Sequence, residues 1–132
     1  FVDLGHKIVI QNTIFKIWDG QTQVILTAIV NALILLSYGV GNAPQNPELI
    51  AQLKYAKARE IPVLNCTQCM RGRVNMGGYA TGHGLQEVGV LSGSDMTSEA
   101  ALAKLHYLLS KGLPFEEISH LLTQNLRGEL SD

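Results

Sequence analysis

ALILLSYGVGNAPQNPELIAQLKYAKAREIPVLNC, residues 32–66, is the stretch whose reading decides the fold. Ala32 to Leu36 is a short unbroken apolar run, as expected of a strand covered on both faces in a parallel sheet. It ends in the glycine-rich turn Gly39-Val40-Gly41-Asn42. A helix follows: Asn46 can cap it, Pro47 suits a first position that needs no N–H donor, and Glu48 complements the positive end of the helix dipole. Leu49, Leu53 and Ala56 form its buried stripe, and Ile61 to Cys66 reads as a second buried strand. Strand, helix, strand is the unit from which parallel sheets are built.

Working outward, the segment before it is β-rich from Lys7 to Trp18, with Ile8, Ile10, Ile14, Phe15 and Ile17 in an alternation that slips near Asn12-Thr13. After the turn pair Asp19-Gly20, Val24, Ile25, Ala28 and Ile29 fall at helical spacing, which predicts a helix from Thr22 to Val30. Downstream, Gly72 to Gly84 reads as an irregular loop leading into a short helix, and Val88 to Leu91 as a short strand. Thr97 is placed to cap a helix whose Leu102, Leu105, Leu108 and Leu109 turn to one side, closed by Lys111-Gly112. A last helix is predicted from Pro114 to Asn125, burying Phe115, Ile118, Leu121 and Leu122. The expected fold class is α/β: a small parallel sheet with helices on both faces.

The 132 residues suit a single core without staples. Charged residues are 16% against about 25% in typical soluble proteins. With 46% hydrophobic residues, the chain has apolar surface to spare, which implies burial against another domain or subunit. Net charge is −1 and the ten Lys and Arg residues are scattered, so nothing invites nucleic acid or anionic lipid. Small-molecule or protein partners are expected. The longest apolar runs fall well short of the roughly 20 residues of a membrane span.

Two loops beyond strand ends are candidates for chemistry. The first runs from Ser37 to Gln45, where the glycines permit a tight path and Asn42 and Gln45 offer donors and acceptors. Equally, those glycines could only turn the chain; the spacing is not that of a G-x-G-x-x-G dinucleotide fingerprint. The second runs from Cys66 to Tyr79 and carries a C-x-x-C pair, Cys66 and Cys69. A redox pair would need a helix N-terminus and zinc would need two more ligands, and His6, His83, His106 and His120 show no paired spacing. Two buried, reduced cysteines and no metal are expected. No G-x-S-x-G elbow or T-D-G-type turn pairs a nucleophile with a base.

SYGVGNAPQNPEL, VLNCTQCMRGRVNMGGYATG, GVLSGSDMTSEAALAKLHYLL and NLRGEL together resemble the C-terminal domain of cytoplasmic-type L-asparaginases. The resemblance spans about residues 32–130 and implies a Rossmann-like or flavodoxin-like asparaginase C-terminal domain over 32–132, with 1–31 a poorly matching strand and helix segment of the same domain. It further implies an amidohydrolase that converts L-asparagine and water to L-aspartate and ammonia without cofactor. Two catalytic threonines, an aspartate and a lysine would lie in an N-terminal domain outside this chain, leaving the chain catalytically incomplete by itself. A cytoplasmic homo-oligomer, dimer or dimer of dimers, is implied as well. In it Tyr79 and Asn42 would contribute in trans to the neighbouring active site. Cys69, with Thr67, matches part of an effector site that binds a second asparagine, but Leu36 stands where allosteric relatives have an arginine. Other readings are a free-standing amino-acid-binding or regulatory module, a dimerisation module, and the related subunit of a tRNA-dependent amidotransferase.

Overall fold

A computed structural model describes residues 2–3, 7–11, 14–18, 23–24, 31–37, 41, 47–78 and 80–131. Its elements in chain order are β1 (Val2–Asp3), β2 (Lys7–Gln11), β3 (Ile14–Trp18), β4 (Gln23–Val24), β5 (Leu33–Ser37), α1 (Pro47–Ala58), β6 (Val63–Thr67), α2 (Ala80–Glu87), β7 (Leu91–Ser92), α3 (Ser98–Ser110) and α4 (Phe115–Leu122). One sheet has the order β1-β5-β6-β7, and all its pairings are parallel.

The apolar strands explain this sheet. Leu33, Leu35 and Val63 face α1, meeting its Leu53 and Ala56. Ile34, Leu64 and Cys66 face the opposite way, against Ala101, Leu105 and Leu108 of α3 and Ile118 and Leu122 of α4. Alternate residues of one strand therefore enter two separate cores, which is why its sequence is apolar without interruption. Each fully buried leucine contributes about 1.5–3 kcal/mol relative to exposure. The expected sheet with helices on both faces is what forms.

Upstream, the structure departs from the reading. β2, β3 and β4 make a second, antiparallel sheet, in which Gln11 lies opposite Ile14 and Ile17 opposite Val24. The slip in the alternation thus falls between two strands, Lys7–Gln11 and Ile14–Trp18, that pair antiparallel with each other. Gln23 and Val24, expected at the start of a helix, instead pair with β3. An available edge outcompetes a short helical periodicity, and Val is at home in a strand. The rest of the predicted helix, 25–30, and the proposed cap Asn46 lie outside the described residues.

Downstream, two boundaries and one buried face also change. α2 starts inside the glycine-rich stretch and contains Gly82, because the helix runs directly against the main chain of Met76, where any Cβ would collide. The strand expected over Val88 to Leu91 is confined to Leu91–Ser92; Gly89 and Val90 donate back to the carbonyls of Gln86 and Leu85 and close α2. In α3 the Thr97 Oγ1 accepts from the Ala100 N–H at 3.1 Å, as the cap requires. Leu102, however, is 38% exposed, while Ala101, Leu105 and Leu108 are buried. The stripe runs 101-105-108, and Leu102 sits one residue, about 100° of helix, off it.

Lys104 was not foreseen as a core residue. Its side chain is 5% exposed, and its Nζ meets the Glu129 carboxylate at 2.6 Å and donates to the carbonyls of Leu122 and Gln124. Glu129 also accepts from the N–H groups of Leu126 and Arg127, and Leu130 enters the core behind it. This ion pair fastens the closing NLRGEL segment to α3.

Candidate functional site

The carboxyl ends of β5, β6 and β7 share one edge of the sheet. On the α1 side, the face that carries Leu33, Leu35 and Val63 becomes polar toward that edge, with Ser37, Asn65 and Thr67 all buried. Ser37 Oγ donates to the Cys66 carbonyl at 3.3 Å, and the Ser37 carbonyl accepts from the Gln68 N–H at 2.8 Å, so the two expected loops leave the sheet side by side. Of the first loop, Ser37 and Gly41 are described; Asn42 and Gln45 lie outside the described residues, as does Tyr79 at the end of the second.

The C-x-x-C pair is split by its surroundings. Cys66 is buried against Met96 and Leu105, and burial pushes its thiol up to about 11. Cys69 is exposed, contrary to the expectation of two buried cysteines, because the chain leaves the sheet after Thr67. Both thiols are free. The Cys69 N–H donates to Thr67 Oγ1 at 3.1 Å in a tight local turn. His83, His106 and His120 are exposed on separate helices. Among the described residues no three of His, Cys, Asp and Glu are grouped to hold a metal ion.

Thr67 and Cys69 do come together with Leu36. They line a hollow of about 430 Å³ between the ends of β5 and β6 and the start of α3, with Asp95, Thr97 and Glu99 on its other side. The carboxyl of Asp95 is held below its ordinary range by hydrogen bonds from Ser131, whose N–H donates to Oδ1 at 2.8 Å. Among the described residues, the charged groups in this lining are Asp95 and Glu99, and the charge of Arg73 helps to hold the Asp95 carboxyl down. Leu36 offers a ligand carboxylate no bidentate partner there.

Asn65 escaped the sequence reading, although an amide within an otherwise apolar strand was its visible signal. Its side chain is 0% exposed, and Nδ2 donates to the Gly41 carbonyl at 3.2 Å. No donor among the described residues reaches Oδ1. Among the described residues no helix is long and apolar enough to cross a membrane.

Residues 13–122 match the model of the glutaminase/asparaginase C-terminal domain family. The match begins ahead of Ala32, taking in β3 and β4. L-asparaginase 1 of Escherichia coli K12 is 61% identical over 102 residues, covering 77% of this chain and 30% of the bacterial protein. The 60 kDa lysophospholipase of Homo sapiens is 43% identical over 103 residues, covering 77% of this chain and 18% of that protein. The crystal structure of L-asparaginase I from Vibrio cholerae superposes with a TM-score of 0.74 at 65% identity, over 77% of this chain and 31% of the other. The chain thus spans about 30% of the length of the asparaginases that it matches.

Proposed function

Because the chain belongs to the glutaminase/asparaginase C-terminal domain family, we propose that it works as the C-terminal part of a cytoplasmic L-asparaginase, joined to an N-terminal domain that carries the catalytic threonines, aspartate and lysine. The whole enzyme hydrolyses L-asparagine to L-aspartate and ammonia and acts as a homo-oligomer. This domain covers subunit contacts and offers Asn42 and Tyr79 to the neighbouring subunit's substrate site. The observation that carries the reading is the identity of 61% and 65% to two type I bacterial asparaginases, the second with a matching fold. Supporting it, the two loops that bear Asn42 and Tyr79 leave one edge of the sheet, where ligands of open parallel sheets are bound.

The test joins this chain to the remaining part of the Vibrio cholerae enzyme and compares Tyr79→Phe with the parent chimera. Loss of the hydroxyl should lower kcat at least about tenfold, about 1.4 kcal/mol in the transition state, with the oligomer intact. An unchanged kcat in an intact oligomer contradicts the role of Tyr79.

The hollow at Leu36, Thr67 and Cys69 is, in this proposal, the remnant of an effector site that no longer holds asparagine. Leu36 supplies no charge to pair with the amino acid's carboxylate, and the charged groups that line the hollow among the described residues are Asp95 and Glu99. The chimera should accordingly show a hyperbolic dependence of rate on asparagine. A sigmoidal curve that becomes hyperbolic in Cys69→Ala would overturn this.

A further inference from the structure

We propose that Asn65 is a positioning residue that locks the loop of residues 37–45 onto the loop of residues 66–79, so that the two are presented to the substrate site as one unit. Its consequence for catalysis rests on the reading above; the lock itself is a property of this chain.

The junction is built from both sides. Gly41 has φ +99°, and a Cβ there would lie 2.6 Å from Val74 Cγ1 and 3.1 Å from Asn65 Nδ2. Only a glycine admits this backbone conformation at such a close approach. Val74 is in turn held at both polar groups, its N–H donating to the Ser94 carbonyl at 2.9 Å and its carbonyl accepting from Ser92 Oγ at 3.3 Å. Ser92 pairs with Asn65 in the sheet, and the Gly93 N–H donates to the Asn65 carbonyl at 2.8 Å. Gly41 thus lies against a fixed point of the second loop, and the Asn65 amide bonds its carbonyl there.

The amide carries a cost that this bond helps to offset. Oδ1 is buried without a donor, a penalty that an apolar side chain of the same size would avoid. What an apolar residue could not supply is the donor to the Gly41 carbonyl. That carbonyl belongs to the residue just before Asn42 in the sequence.

Asn65→Leu separates positioning from bulk stability, since it keeps the volume and removes both the donor and the orphan acceptor. In the 132-residue chain, amides of residues 38–46 should exchange with deuterium at least about tenfold faster, while those of α3 exchange as before. In the chimera with the remaining Vibrio cholerae enzyme, KM for asparagine should rise about fivefold or more with kcat within about twofold. A domain that is merely destabilised lowers the active fraction, hence kcat, and leaves KM alone. Should Asn65→Leu not fold, Asn65→Ser, which stops short of Gly41, takes its place in both measurements. Unchanged exchange over 38–46, or faster exchange with an unchanged KM, overturns the proposal. An inactive parent chimera refutes the asparaginase reading instead, and the exchange measurement still decides the lock.

Discussion

Purified as the 132-residue chain, the domain is expected to release no ammonia from L-asparagine above background. Enzymatic turnover, about 1 per second or faster, needs a nucleophile activated by a base and a site for the developing oxyanion. The hydroxyls whose bonds are described are committed elsewhere. Ser37, Ser92, Ser110 and Thr123 donate to main-chain carbonyls, and Thr97 caps α3. Ser98 Oγ lies 3.3 Å from the Glu99 carboxylate, but in solvent, where a carboxylate is too weak a base to generate an alkoxide. Cys66 is buried with its thiol raised to about 11, so little thiolate forms near neutral pH. Ammonia release at an enzymatic rate by rigorously purified chain would show that the nucleophile lies within it.

The second large effect is expected at Lys104. Removing one partner of a buried ion pair leaves the other charge and its hydrogen-bonding groups uncompensated, and Lys104→Met should cost about 3 kcal/mol. For a domain of this size that is a fall in Tm of roughly 10–20 °C. The carbonyls of Leu122 and Gln124 lose their donor and the 125–130 segment loses its hold on α3. Lys104→Met combined with Glu129→Leu should recover most of the loss, since no buried charge then remains. Equal Tm values for Lys104→Met and the parent would mean that the pair contributes nothing.

The same pair sets a pH dependence. Burial pushes the Glu129 carboxyl up, but the hydrogen bonds from Lys104 and from the main-chain N–H groups of Leu126 and Arg127 pull it further down, to about 2 against an ordinary 4.5. A carboxyl lowered on folding stabilises fully above its unfolded value and loses that contribution as pH falls toward the folded one. Tm should therefore drop between pH 4.5 and 2, with a shallower slope in Glu129→Gln. The same slope in both proteins contradicts this assignment.

What the sequence disclosed follows from how local each feature is. The strand-helix-strand unit around Leu33–Ser37 and Val63–Thr67 was legible because burial on both faces puts apolar residues at successive positions, and Thr97 because a cap bonds within three residues. Features that depend on distant partners were not. Gln23 and Val24 are strand because β3 offers an edge, Gly82 is helical because of the Met76 main chain, and Lys104 looks like a solvated lysine until Glu129 arrives beside it. Leu102 misled because leucine spacing alone does not say which side of a helix faces the core. Of the candidate site, Thr67, Cys69 and Leu36 could be grouped through the family resemblance, and the hollow they share supplied the two carboxylates that the sequence could not place there. Asn65 was visible as a polar interruption, but its partner Gly41 is 24 residues away.

Whether this chain completes an asparaginase is measured directly by complementation. The Vibrio cholerae L-asparaginase I lacking its C-terminal part is compared with the same protein joined to residues 13–132 of this chain, each assayed for ammonia released from L-asparagine. The truncated enzyme should be inactive, and the joined one should recover turnover of about 1 per second or more. A joined protein that folds and assembles yet stays as inactive as the truncated one would contradict the asparaginase reading.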